Sequence, residues 1–167
     1  LAASIEARHH NSGIALDRDG CFRHNGAPVT HPRVVAAFER GLRVADDGRV
    51  TLHLGRDWCH VAVAETPFVV RRARDAADGT VVLVLNDGRD VTLEPRTLCL
   101  VGDTDLYARV DGGRHLARFL RDAFHHVGHR FTEDGTGALA FGTPTGDVPV
   151  PRRSARPVAG RWPEEAP

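Results

Sequence analysis

The sequence predicts an α+β protein of two related halves, each a strand–helix–β-hairpin unit, linked by an antiparallel meander. Three observations predict it. The run Asp46 to Val63, DDGRVTLHLGRDWCHVAV, aligns without a gap on Glu133 to Val150, EDGTGALAFGTPTGDVPV, with six identities in eighteen positions. Upstream of each run lies a segment of helical period, and upstream of that a short strand ending in Asn25-Gly26 or Asp111-Gly112. Between the copies, apolar strands alternate with Asp-Gly and Asn-Asp-Gly turns. Self-similarity decides architecture before any local signal does. Two copies are too few for a solenoid, so the expectation is a compact molecule with an interface between its halves.

The elements follow in order. Residues 1–12 read as an N-terminal extension, and the first half covers 13–66. Gly13 to Leu16 and Cys21 to His24 flank Asp17-Arg18-Asp19-Gly20, a hairpin signal. Asn25-Gly26 turns the chain. Thr30 or His31 caps a helix, Pro32 suits its first turn, and Val34, Phe38 and Leu42 share a face. Val50 to Leu54 and Cys59 to Val63 form the next hairpin. An even-length loop such as Arg56-Asp57 keeps Val50, Leu52 and Leu54 on one face with Cys59, Val61 and Val63. In that register Leu54 faces Cys59, Leu52 faces Val61 and His53 faces His60. The last two lie on the opposite face, with Trp58.

The meander and second half cover 67–150. Phe68 to Arg72, Val81 to Leu85 and Asp90 to Leu93 are strands, and Leu98 to Val101 reads as a further one. After the strand Leu106 to Val110, Asp111 is placed to cap a second helix. Leu116, Leu120 and Phe124 form its stripe, and Gly128 its stop. Phe131 to Val150 closes the copy, with Leu139 facing Val148. From residue 151 to 167 the composition turns to Pro, Arg, Glu and Ala, which predicts a disordered tail.

Composition excludes several functions. Twenty-two basic residues balance twenty-two acidic ones, which gives no electrostatic footprint for bulk nucleic-acid binding. Cys21, Cys59 and Cys99 are odd in number and far apart. They point to a reducing compartment, the cytoplasm, and to no disulfide framework. No apolar run reaches membrane-spanning length, and residues 1–12 carry no apolar core of a secretory leader.

The candidate chemistry is sparse. His53 and His60, paired across strands, suit a metal or an anion, yet no third and fourth ligand is visible. His125 and His129 have the spacing of a helical metal pair, but His126 stands where a zincin needs Glu. Histidines at a helix C-terminus are favoured by its dipole in any case. Asp17, Asp19, Asp46 and Asp47 are ordinary turn residues. Cys59 and His60 point to opposite faces and cannot act together. No phosphate loop or nucleophile elbow appears. Trp58, turned away from its own core, packs on the other half or stacks a ligand. Arg23, Arg109, Arg118 and Arg121 are of a type that clamps phosphate or carboxylate.

His24-Asn25-Gly26-Ala27-Pro28-Val29, followed by Arg33-Val34-Val35-Ala36-Ala37-Phe38, reads as a His-x-Gly-x-Pro strand leading into a helix. Val61-Ala62-Val63 with Pro67-Phe68, Asn86-Asp87-Gly88 before Val91, and Tyr107 with Gly112-Gly113, Arg121 and Phe124 continue in order. Together these motifs resemble the bacterial domain-of-unknown-function family 1285, over about Gly13 to Val150. The resemblance implies two related α+β halves, the second similar to a pleckstrin-homology-like barrel. It also implies a small, nucleotide-like ligand between the halves and a role in signalling. Its motifs carry His24, Asn86, Tyr107 and Arg121 as ligand-binding positions. Arg56-Asp57-Trp58-Cys59 departs from the family's Pro-Val-Glu-Lys-like stretch.

The expectation is therefore a cytoplasmic, non-catalytic module for a small anion, with His24, Trp58, His60, Asn86, Tyr107 and Arg121 as its ligand-binding residues. No cofactor or metal is expected. A protein-interaction module and a metal-assisted enzyme using histidines are the alternatives.

Overall fold

The computed structural model describes residues 12–165; all but one residue of the expected N-terminal extension lies outside them. The chain is α+β. The first half runs β1 (Ile14–Leu16), β2 (Phe22–His24), β3 (Ala27–Pro28), α1 (Pro32–Gly41), β4 (Leu42–Val44), β5 (Val50–Leu54), β6 (Asp57–His60) and β7 (Ala62–Val63). The meander supplies β8 (Phe68–Asp75), β9 (Val81–Leu85) and β10 (Asp90–Thr92). The second half follows as β11 (Cys99–Val101), β12 (Asp105–Val110), β13 (His115–Phe119), α2 (Arg121–Val127), β14 (Phe131–Glu133), β15 (Leu139–Thr143), β16 (Gly146–Val150) and β17 (Arg152–Arg153).

Both halves arrange these strands in one pattern. A sheet of order β3-β2-β1-β7 in the first half matches β13-β12-β11-β17 in the second, where β8, β9 and β10 extend it to seven strands. The outer pair is parallel in each case: β1 with β7, β11 with β17. Each helix leads into a three-stranded antiparallel sheet, β4-β5-β6 or β14-β15-β16. The turns before the third strands match too. Asn25 and Gly26 take φ of 49° and 82°, Asp111 and Gly112 take 54° and 67°, a left-handed pair that Asx-Gly supplies with least strain.

Each half has its own core. Leu16 and Phe22 meet Leu42, Val50, Leu52 and Val61 in the first, with Phe38 of α1 edge-on to Phe22 at 5.2 Å between ring centroids. In the second, Phe68, Leu83, Leu85, Phe119, Val127 and Phe141 pack together. A third cluster joins Cys99, Val101, Tyr107 and Leu116 to Trp162 on the other face of the large sheet. That two-sided burial is why β11 reads as an unbroken apolar run.

Three expectations are corrected. The second helix does not begin after Asp111: residues His115–Phe119 form β13, a strand between β12 and β8. Asp111 is a turn residue, and burial on both faces of a central strand outweighs the helical spacing of Leu116, Leu120 and Phe124. Both hairpin registers differ by two residues. Leu52 pairs with Cys59 and His53 with Trp58 around Gly55-Arg56, while Leu139 pairs with Val150 and Phe141 with Val148 around Pro144-Thr145. Gly55 supplies positive φ at the first turn, whereas Gly142, its counterpart in the alignment, lies within β15 and Gly146 takes that part. The expected faces survive, because a shift of two keeps every side chain on its side.

The expected disordered tail is ordered over residues 152–165. Arg152–Arg153 add a strand to β11, and Trp162 is only 2% exposed, with the Arg153 guanidinium 4.4 Å from its ring centroid. One buried aromatic offsets the chain entropy that the surrounding composition favours.

Candidate functional site

The six expected ligand residues do not gather. His24, at the exposed end of β2, has its ring nitrogen 3.3 Å from the side-chain amide of its neighbour Asn25. Trp58 and His60 do share the outer face of β6 at 5.3 Å between ring centroids, with His53 stacked on Trp58 at 6.3 Å. Asn86 is buried after β9, where its Oδ1 accepts from the Val69 N–H at 3.0 Å. With the Asn86 N–H donating to the Val69 carbonyl at 3.0 Å, that bond extends the β8–β9 ladder by one residue beyond the Val70–Leu85 pair. Tyr107 is fully buried, packed edge-on against Trp162, and its hydroxyl donates to Glu65. Burial and that carboxylate push its pKa up. Arg121 lies on the surface at the start of α2, beside Phe124 and His125.

The histidines are dispersed as well. His53 faces Trp58 rather than His60. His126 lies 3.3 Å from Asp75, and the His129 ring bonds the His126 carbonyl at 2.9 Å. Among the described residues no group of three or more His, Cys, Asp or Glu side chains is arranged to hold a metal ion.

Two features that residue-by-residue reading missed lie between the halves. The first is a buried ionic junction. The β1–β2 turn packs on β8 so closely that a Cβ on Gly20 would sit 2.4 Å from Val69. From this turn Arg18 reaches Asp105 at 3.0 Å and Glu65 at 3.3 Å. Arg118 of β13 holds Asp105 at 3.2 Å and Asp19 at 2.9 Å, and Arg156 closes on Asp105 at 2.6 Å. Burial opposes the Asp105 charge, but the guanidiniums of Arg156 and Arg118 outweigh it and hold its pKa below the ordinary value. Asp105 and Glu65 are 4% and 6% exposed. With its carboxylates matched by guanidiniums, this junction is a fastening rather than a receptor.

The second is a cleft of about 620 Å³ between α1 and β4 on one side and the β9–β10 and β12–β13 turns on the other. Leu42, Val44 and Phe68 supply apolar walls, and the charges around them are unequal in their commitments. Glu39 is held by Arg71. Asp87 and Asp111 are held by Arg89, at 2.6 and 2.9 Å, and its guanidinium lies 5.2 Å from the Phe68 ring centroid. The bidentate contact with Arg89 lowers the Asp111 pKa. Arg40 and Arg43 have no carboxylate partner among the described residues. Arg43 spends one nitrogen on the carbonyls of Arg40 and Leu42, each at 2.7 Å. The Arg40-Glu39 and Arg43-Leu42 alternation is an ordinary helix-end pattern, so nothing in the sequence marked this pair. None of the six expected residues lines the cleft.

The architecture defines a class: an α+β fold whose two halves share a strand order and meet across an ionic junction. Two solved structures are similar in fold to this chain. One is a DUF1285 family protein from Silicibacter pomeroyi DSS-3, at TM-score 0.61 and 19% identity, covering 82% of this chain and 78% of that one. Another is a DUF1285 family protein from Shewanella baltica OS155, at TM-score 0.55 and 14% identity, covering 73% and 94%. The resemblance read from the motifs therefore holds at the level of fold. No protein-family model and no curated protein matches the chain.

Proposed function

We propose that this protein is a non-catalytic binding module for a small anion, nucleotide-like in pairing a charged group with an apolar or aromatic one. The ligand lies in the cleft between α1–β4 and the second half. The observation that carries this reading is that Arg40 and Arg43 have no carboxylate partner among the described residues, beside three carboxylates that are all paired and above apolar walls. Ligand pockets combine mostly apolar lining with a few directed polar groups in this way, and clefts between structural units are favoured places for them. The motifs read in the sequence motivate a signalling role for the module and its widely spaced cysteines a cytoplasmic one, and we read the shared strand order of the halves as the trace of an internal duplication.

The test is a thermal-shift screen of nucleotides and smaller anions. A ligand at a hundred times its Kd adds about 2.7 kcal/mol to stability, a readily measured rise in Tm. The rise should vanish in the double variant R40A/R43A. Absence of any shift across nucleotides, or one that survives that variant, refutes the assignment.

A further inference from the structure

A second cleft lies behind the first. Phe68 lines the first cleft, and its other neighbour is His115, 6.0 Å away between ring centroids. His115 lines a polar cleft of about 220 Å³, formed by the Asp46–Gly48 turn, the start of β13 and the segment around Arg161. Arg114 stands between the two clefts. Its Nε donates to the Asp111 carbonyl at 2.9 Å and its Nη1 pairs with Asp46 at 2.8 Å.

We propose that this second cleft is a binding site for a small oxyanion of the carboxylate or phosphate class, received by His115 and Arg161. Two independent observations carry it. His115 is 5% exposed, lines the cleft, and makes no hydrogen bond to any described residue. Its ring nitrogens are not sealed from solvent, and the cleft is the open space that His115 lines. Burial lowers its pKa, so the neutral ring offers one N–H donor and one acceptor. Arg161 supplies the charge. It donates to the Asp47 carbonyl at 2.6 Å and makes no ion pair with a carboxylate among the described residues; the Asp47 carboxylate is held by Arg49 at 2.7 Å. The other cations are committed, Arg109 to Glu165 and Arg114 to Asp46. An oxyanion takes up one guanidinium and one ring N–H as charge-assisted hydrogen bonds.

The experiment follows the histidine ring signals by two-dimensional NMR while sodium phosphate, and separately sodium malonate, is added. The His115 signal is assigned as the one missing from His115→Asn, or by its through-space contact with Phe68 should that variant fail to fold. The expected result is a saturable shift of the His115 signal with at least one probe, and which probe acts names the class. Arg161 is exposed, so R161A should keep the fold while weakening binding about tenfold, the worth of one charged hydrogen bond. R40A/R43A should leave this binding unchanged, which separates it from the first cleft. A His115 signal that moves with neither anion at millimolar concentration, or equally in R161A, overturns the proposal.

Discussion

Asp105 carries more consequence than any other side chain at the junction, because Arg18, Arg118 and Arg156 all reach it. Replacing it by Asn takes the shared carboxylate from Arg118 and from the more exposed Arg18 and Arg156, while Glu65 and Asp19 stay in reach, and losing a buried charged partner in this way costs about 1–3 kcal/mol. Its folded pKa lies below the unfolded one, so its contribution is present at neutral pH and is lost as pH falls through the folded value. D105N should therefore lower the urea midpoint at neutral pH and show a flatter acid limb. An unchanged acid limb would contradict the role given to Asp105. The cysteines separate in the same way. Burial pushes the Cys99 thiol up to about 11, only partly offset by Arg153, while Cys21 is exposed. Ellman's reagent at mildly alkaline pH should modify Cys21 in the folded protein and Cys99 only after unfolding; comparable rates would be inconsistent with this burial. Residue roles were the least legible level of the sequence. Tyr107 and Asn86 stand out in the motifs, yet the structure buries both and gives the Tyr107 hydroxyl and Asn86 Oδ1 internal partners. Arg40 and Arg43 look like solvated helix-end residues. Whether an arginine is free depends on which carboxylates the fold brings to it, and sequence spacing does not encode that.

At the level of elements, turn chemistry was the most readable signal. Asp17–Gly20, Asn25-Gly26, Asp78-Gly79 and Asn86–Gly88 all fall where the chain reverses, because positive φ restricts the choice of residue. The same signal misled at Asp111, since an Asx residue before a Gly serves equally as helix cap and hairpin turn. Only the neighbouring strands β12 and β8 decide for a strand. The β5–β6 register failed for a related reason: alternation fixes which face a side chain takes, and a slip of two leaves the faces intact. One close contact gives a direct test. A Cβ on Gly41 would lie 2.3 Å from the His53 carbonyl and 3.1 Å from Leu52 Cδ1. Gly41→Ala should push α1 off β5 and cost about 1–3 kcal/mol, the usual range for overpacking. A wild-type midpoint in urea would show that α1 has room the structure does not give it.

For the whole molecule, the repeat proved the best guide. It located two halves of like element order, and the structure shows them with like strand order as well. The repeat was silent about the joint between them, because the joint residues Arg18, Asp19, Glu65, Asp105, Arg118 and Arg156 all lie outside the two aligned runs. The C-terminal segment was misread because composition was weighed without its one aromatic. Trp162 fills a cluster with Tyr107 and Leu116, so W162A should cost about 3–5 kcal/mol and lower both thermal and urea midpoints. A loss below about 1 kcal/mol, the mark of a surface substitution, would return the segment to the status of a loose tail.

The closing of the junction by that segment also sets an order of events in the cell. Arg156 reaches Asp105, and the Gly160 N–H bonds the Glu65 carbonyl at 2.9 Å. Both halves have been synthesised before these residues are made. Until then the apolar patch around Tyr107 lacks its cover and Asp105 lacks one of its three cations. Between the making of Tyr107 and the arrival of Trp162 the nascent chain thus carries an unfinished seam, open to quality-control factors that read exposed apolar surface.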